Sequence, residues 1–192
     1  MEDLCAVYIE RIKIAIIYSI VAFLLLIPSL SIAAPYYGAN FSVAAITTEP
    51  PSLHGYQFMF NYDPQRIKWR QFNIYFDGGM SHFWVNNTSY YRSLNIYSLA
   101  PVVRYTFKKH GPILPYLELS IGLAYLNHTH LDSRNLGIHF AFQDRIGVGA
   151  LLGSAEQFSV GLHAVHYSNG HLSNHNSGIT VPVALDIGYR FN

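Results

Sequence analysis

The residues whose types and order could do chemistry are His166-Tyr167-Ser168-Asn169. In an extended strand, residues two apart face the same side, so His166 and Ser168 become neighbours. An imidazole beside a hydroxyl is the arrangement in which the ring takes the nucleophile's proton. Taken alone, such a pair at a strand end is most often a solvated rim. The residues before it change that reading. Phe158, Val160, Leu162 and Ala164 share parity with His166 and Ser168 and form an apolar row. If that row faces lipid, a histidine and a serine continuing it are costly unless they work there. An enzyme acting on a membrane lipid would put its nucleophile in such a place. His128, His130, His171 and His175 crowd two polar segments without carboxylates at ligand spacing, so they read as solvated loops, and no metal site is expected. Asp144-Arg145 reads as a structural lumen pair rather than a site. Asn87-Thr88-Ser89 and Asn127-His128-Thr129 fit the glycosylation pattern, a motif too short to carry weight alone.

The elements that must position the pair repeat with period two. Tyr56, Phe58, Phe60 and Tyr62 alternate with Gln57, Met59 and Asn61, and Leu117, Leu119, Ile121, Leu123 and Tyr125 alternate with Glu118, Ser120, Gly122 and Ala124. Val181, Val183, Leu185, Ile187, Tyr189 and Phe191 alternate with Pro182, Ala184, Asp186, Gly188 and Arg190. One face is large and apolar; the other is small or polar, the filling of a narrow barrel lumen. Eight strands are predicted, over Ala39–Thr47, Tyr56–Tyr62, Ile67–Asp77, Leu94–Phe107, Pro115–Leu126, Gly137–Leu152, Phe158–Ser168 and Ile179–Phe191. Asp63–Arg66 and Gly153–Gln157 are short connections, Lys108–Pro112 is a longer turn, and Gly78–Ser93, Asn127–Leu136 and Asn169–Gly178 are longer still. Short turns on one side and long loops on the other is the outer-membrane pattern. The expected fold is therefore an all-β, eight-stranded antiparallel transmembrane outer-membrane β-barrel. Tyr36-Tyr37 and Tyr90-Tyr91 suit the membrane interface, and a final strand ending Tyr189-Arg190-Phe191-Asn192 is similar to the assembly signal of such barrels.

Composition agrees. Charged residues are 12% of the chain and aromatics 15%, against about 25% charged in typical soluble domains. Arg11 and Lys13 precede the apolar run Ile14–Leu30, and Ser31-Ile32-Ala33 supplies small residues. That order predicts a signal peptide over residues 1–33, removed after Ala33, and a single barrel domain over 34–192. The one cysteine, Cys5, lies in the leader, so the mature chain carries no disulfide or thiol chemistry. The near-balance of charge in the remainder, ten basic against eight acidic residues, leaves no electrostatic footprint for nucleic acid. No later stretch approaches the roughly 20 apolar residues of a membrane helix.

The stretch from Ala100 to Phe191 resembles the lipid A 3-O-deacylase (PagL-type) family of outer-membrane acyloxyacyl hydrolases. The matching pieces are Ala100-Pro101-Val102-Val103-Arg104-Tyr105, Pro115-Tyr116-Leu117-Glu118, Phe140 to Gly149, His166-Tyr167-Ser168-Asn169-Gly170 and Asn176-Ser177-Gly178-Ile179. The resemblance implies hydrolysis of the 3-O-linked 3-hydroxyacyl chain of lipid A, the lipopolysaccharide anchor in the outer leaflet, at the bacterial cell outer membrane. It implies His166 as base, Ser168 as nucleophile, and Asn169 with Gly170 at the oxyanion. Such hydrolysis calls for no cofactor, and the resemblance admits a homodimer. The family's catalytic Glu falls at Thr180, a departure. A threonine can orient an imidazole but brings no negative charge. Glu118 and Asp186 carry lumen parity and Asp132 lies in an outer loop, so the sequence leaves three alternatives open: a substitute acid, a slower dyad, or an inactive protein. The rival reading is a non-enzymatic small barrel acting through its loops in adhesion or envelope integrity.

Overall fold

The computed structural model describes residues 34–47, 53–86 and 90–191; the expected leader, residues 1–33, and Asn87-Thr88-Ser89 lie outside them. Eight long strands form: β1 (Tyr36–Ile46), β2 (Leu53–Asp63), β3 (Phe72–Val85), β4 (Ser93–Thr106), β5 (Ile113–Leu126), β6 (Phe140–Leu152), β7 (Phe158–Ser168) and β8 (Ile179–Phe191). Each pairs antiparallel with the next, and β1 pairs with β8, so the sheet closes. Closure leaves no unpaired edge, which a strand crossing lipid requires. Phe58, Phe60, Leu119, Ile121, Leu185 and Ile187 project outward, as the alternation predicts.

The third strand differs from expectation. It runs from Phe72 to Val85, where the sequence suggests Ile67–Asp77 followed by a loop. Gly78-Gly79 looks like a turn but lies in mid-strand, because β2 passes too close for a side chain. A Cβ on Gly79 would sit 2.0 Å from the Phe58 carbonyl oxygen. Lys68–Trp69 instead folds back on Asn73 and Phe72 as a short hairpin at the end of the barrel that holds the termini. Around that end Tyr37 meets Tyr62, Phe72 meets Tyr105, and Phe158 and Phe191 flank Tyr189, a ring of interface aromatics.

The lumen is filled in two ways. Toward the termini it is polar: Arg104 pairs with Glu118 at 3.0 Å and donates to the Tyr75 hydroxyl, and Arg145 pairs with Asp77. Toward the opposite end it is a hydrophobic core of Leu53, Phe83, Leu94, Ile96, Leu126, Ile179 and Val181. The 127–139 loop drops Leu131 and Leu136 onto this core, closing it from above. A lumen of small and polar residues throughout is therefore corrected to one that is apolar in its outer half. Once the loop excludes water there, burial of large apolar side chains stabilises the barrel by about 25 cal/mol per Å².

A register break in β8 matters most for the site. Opposite β7, the partners pass from His163 with Ala184 to Val165 with Val181, so β8 carries one extra residue around Pro182-Val183. Proline has no N–H for the ladder and is tolerated inside a sheet at such a bulge. One inserted residue reverses which side faces out. Below it Leu185 and Ile187 face outward; above it Ile179 and Val181 are buried in the lumen. The expectation that Val181 shares a face with Leu185 is thus overturned, and Thr180 is turned to the outside.

Candidate active site

His166 and Ser168 lie on the outer face of β7, half-buried, at the end of the barrel away from the termini. Between them Tyr167 points inward, where its hydroxyl donates to Gln143 Oε1 at 3.0 Å and accepts from Gln57 Nε2 at 2.8 Å. This anchored tyrosine fixes the facing of its two neighbours. Across the sheet, Asp144 of β6, His166 of β7 and Thr180 of β8 fall in one row, because His166 pairs with both. The row lies two residues below the end of β7, roughly 6–7 Å along the strand.

His166 Nδ1 is 2.7 Å from Thr180 Oγ1. The opposite edge of the ring faces Gly178: a Cβ placed there would be 3.1 Å from His166 Cε1 and 3.6 Å from Nε2. Gly178 precedes β8 at the level where β7 ends in Ser168, two residues beyond His166 on the same face, and among the described residues no hydrogen bond joins the ring to Ser168 Oγ. Gly178 also has φ +63, a conformation costing other residues about 1–2 kcal/mol. Position 178 is therefore glycine for two reasons, backbone and ring clearance. Sequence reading missed it, although the resemblance runs through it.

Ser168 is followed by a tight turn. Leu172 N–H donates to the Asn169 carbonyl at 3.1 Å, and both central residues, Gly170 and His171, have positive φ. The Asn169 side chain is 1% exposed and donates to Leu136 O at 2.9 Å and His175 O at 2.7 Å, while its backbone N–H donates to Asn176 Oδ1. All the donors of Asn169 are thus engaged in holding the 127–139 and 169–178 loops together. Ser177 N–H to Asn135 O and Arg134 to the Ser177 and Gly178 carbonyls complete that clamp. Among the described residues nothing accepts from the Gly170 N–H, two residues after the serine in an exposed turn.

Asp144 corrects an expectation. Arg145 does face the lumen and pairs with Asp77, but Asp144 faces outward with Phe142, Ile146 and Val148. Glu118 and Asp186 sit in the lumen as expected, on Arg104 and on Asn40 with Ser42. Asp132 is tied to the Tyr91 carbonyl in the outer loops. Below the row, Leu119, Ile121, Ile146 and Ala164 line an open groove of about 360 Å³ that His166, Asp144 and Thr180 border. A long apolar chain fits such a groove, with polar groups only at one end. The outer-loop histidines make ring contacts, His130 with Tyr91 and His139 with Tyr125. Among the described residues no three His, Cys, Asp or Glu side chains gather as a metal-holding group.

The chain matches the family model described as lipid A 3-O-deacylase (PagL) over residues 54–190. It is 42% identical over 82 residues to the lipid A deacylase PagL of Pseudomonas aeruginosa, covering 43% of this chain and 46% of that protein. The chain thus spans about half the length of that curated relative. To the lipid A deacylase PagL of Bordetella bronchiseptica it is 25% identical over 154 residues, 80% of this chain and 79% of that one. Among solved structures it is similar to a crystal structure of the outer membrane enzyme PagL, with TM-score 0.64 and 27% identity, covering 81% of this chain and 99% of that one. Neisserial surface protein A, at TM-score 0.54 and 15% identity over 82% of this chain and 96% of that one, shares the fold.

Proposed function

The chain belongs to the lipid A 3-O-deacylase (PagL) family, and from that premise we propose that it is an outer-membrane serine esterase removing the 3-O-linked 3-hydroxyacyl chain of lipid A. The observation that carries the reading is the placement of His166 and Ser168 on the lipid-facing surface, above an acyl-sized groove, with Nδ1 of the ring held by Thr180. The longest connections, 127–139 and 169–178, are at the same end as the site, and in outer-membrane barrels the longer loops face outside. An outer-leaflet position, where lipopolysaccharide is, agrees with the reading.

Nε2 of His166 takes the proton of Ser168 Oγ as that oxygen bonds to the acyl carbonyl carbon. The Gly170 N–H donates to the oxyanion of the tetrahedral intermediate. The bond from the carbonyl carbon to the sugar oxygen then breaks, and the imidazolium returns the proton to that oxygen. Water, activated by the same nitrogen, frees the hydroxy fatty acid and restores Ser168. The Asn169 amide, given the oxyanion role by resemblance, acts in this structure through the loops it ties together. The reaction needs only water as second substrate.

Purified protein in detergent mixed with purified lipid A tests this: one equivalent of free 3-hydroxy fatty acid per lipid is expected, and its absence would count against the proposal. Gly178→Ala provides a finer check. The added methyl crowds His166 and strains the backbone, so fatty-acid release should drop about tenfold, and unfolding in urea should become easier by about 1–2 kcal/mol. Parent-like kinetics would show that ring clearance at Gly178 is unimportant.

A further inference from the structure

We propose that Asp144 is a positioning residue for this reaction, supplying from β6 the negative charge beside His166 that Thr180 lacks; the inference rests on the esterase reading above. His166 pairs with Thr180 on one side and with Asp144 on the other, and all three side chains face outward. Directly opposed residues on one face place their Cβ atoms about 4.5–5.5 Å apart, within reach of a carboxylate for the imidazolium formed during the reaction.

The partners of the other strand carboxylates sharpen the contrast. Asp63 accepts from Gln65 and Asn73, Asp77 from Arg145, Glu118 from Arg104 and Tyr75, and Asp186 from Asn40 and Ser42. Asp144 accepts from no described side chain and stands on the surface that meets lipid. A carboxylate is unfavourable there without a counter-charge. The group that becomes positive in the reaction is its neighbour across the ladder. The two roles of one family Glu are thereby divided: Thr180 orients Nδ1, and Asp144 stabilises the charged ring. Among the described residues no other charged side chain faces His166 from its neighbouring strands; Arg145 points inward, and Arg134 is bound to the Ser177 and Gly178 carbonyls.

The test follows two rates in the full-length mature protein: lipid A hydrolysis, and labelling of Ser168 by an alkyl fluorophosphonate, read by mass spectrometry. Asp144→Asn should lower kcat and the labelling rate about tenfold with KM unchanged, and heat-dependent gel migration should report an intact barrel. Asp144→Glu should recover most of the loss. In a Thr180→Glu background, where the family carboxylate is present, Asp144→Asn should cost less than about threefold, a compensation that a purely structural role would not show. Parent-like rates in Asp144→Asn would overturn the proposal. So would a raised KM with unchanged labelling, which would make Asp144 a substrate contact, or a loss that Thr180→Glu does not reduce. If the parent releases no fatty acid but Ser168 labelling still depends on Asp144, the substrate reading falls and the positioning role stands. If Ser168 is not labelled at all, both fall.

Discussion

Ser168→Ala is expected to abolish ester hydrolysis and leave the barrel folded. The variant removes one oxygen from a half-buried side chain at the end of β7, where Ser168 Oγ makes no hydrogen bond to a described residue. No cavity opens in the lumen and no buried donor loses a partner, so stability should stay within about 0.5 kcal/mol of the parent. The chemical loss is of another order. Without the nucleophile no acyl-enzyme forms, and what remains is the contribution of the oxyanion donor and of substrate binding. In serine hydrolases such a deletion costs about six powers of ten in kcat, and a fall of at least about 10³-fold is expected here. Release of 3-hydroxy fatty acid measures the activity, and heat-dependent gel migration measures the fold. A variant that folds and still deacylates would assign the nucleophile elsewhere.

Thr180→Glu should raise kcat by about one to two powers of ten. The 2.7 Å contact between His166 Nδ1 and Thr180 Oγ1 holds the ring but does not choose its tautomer. A hydroxyl can accept from Nδ1–H, leaving Nε2 free as the base, or donate to Nδ1, leaving the proton on Nε2 where it blocks catalysis. A carboxylate only accepts. It selects the productive tautomer and stabilises the ring once protonated, effects worth up to about 10⁴ in serine proteases. With Asp144 supplying part of the charge, as proposed above, the expected gain is smaller. The row is near the loop end of the barrel, where a carboxylate on the lipid face costs about 0–1 kcal/mol, so the variant should fold. Single-turnover kinetics on lipid A separate the chemical step from product release. Equal rates for variant and parent would show that the tautomer is set by something other than residue 180.

The barrel was legible because its signal is redundant. Eight outward rows repeat the same alternation, and β7 and β8 fall at the predicted bounds. What was not legible came from single insertions and close approaches. Gly78-Gly79 has the composition of a turn and becomes mid-strand because β2 crowds it. The bulge at Pro182-Val183 reverses faces. Strict alternation from Leu185 upward would have put Thr180 in the lumen, away from His166. The proline carried a signal, since an interior strand tolerates it only at an irregularity. The same alternation, applied to β6 from Val148 and Ile146, points Asp144 outward, yet its pairing with His166 depends on strand register, which a single sequence does not specify. The facing of His166 and Ser168 followed from the β7 pattern alone. The engagement of Asn169 by carbonyls of two loops depends on how those loops pack, beyond the reach of local pattern.

The non-enzymatic reading, in which the loops act in adhesion or envelope integrity, rests on Thr180. Its force weakens once the threonine is seen on His166 Nδ1, because the imidazole then has an orienting group, and Asp144 is its ladder partner on the other side.

The most direct test of the central claim is a mass spectrum of lipid A from Gram-negative cells making this protein, set beside cells making Ser168→Ala at equal outer-membrane level. A new lipid A species lighter by one 3-hydroxyacyl chain, with the loss at position 3 and present only with the unaltered protein, is the predicted result. Identical spectra from the two strains would contradict it.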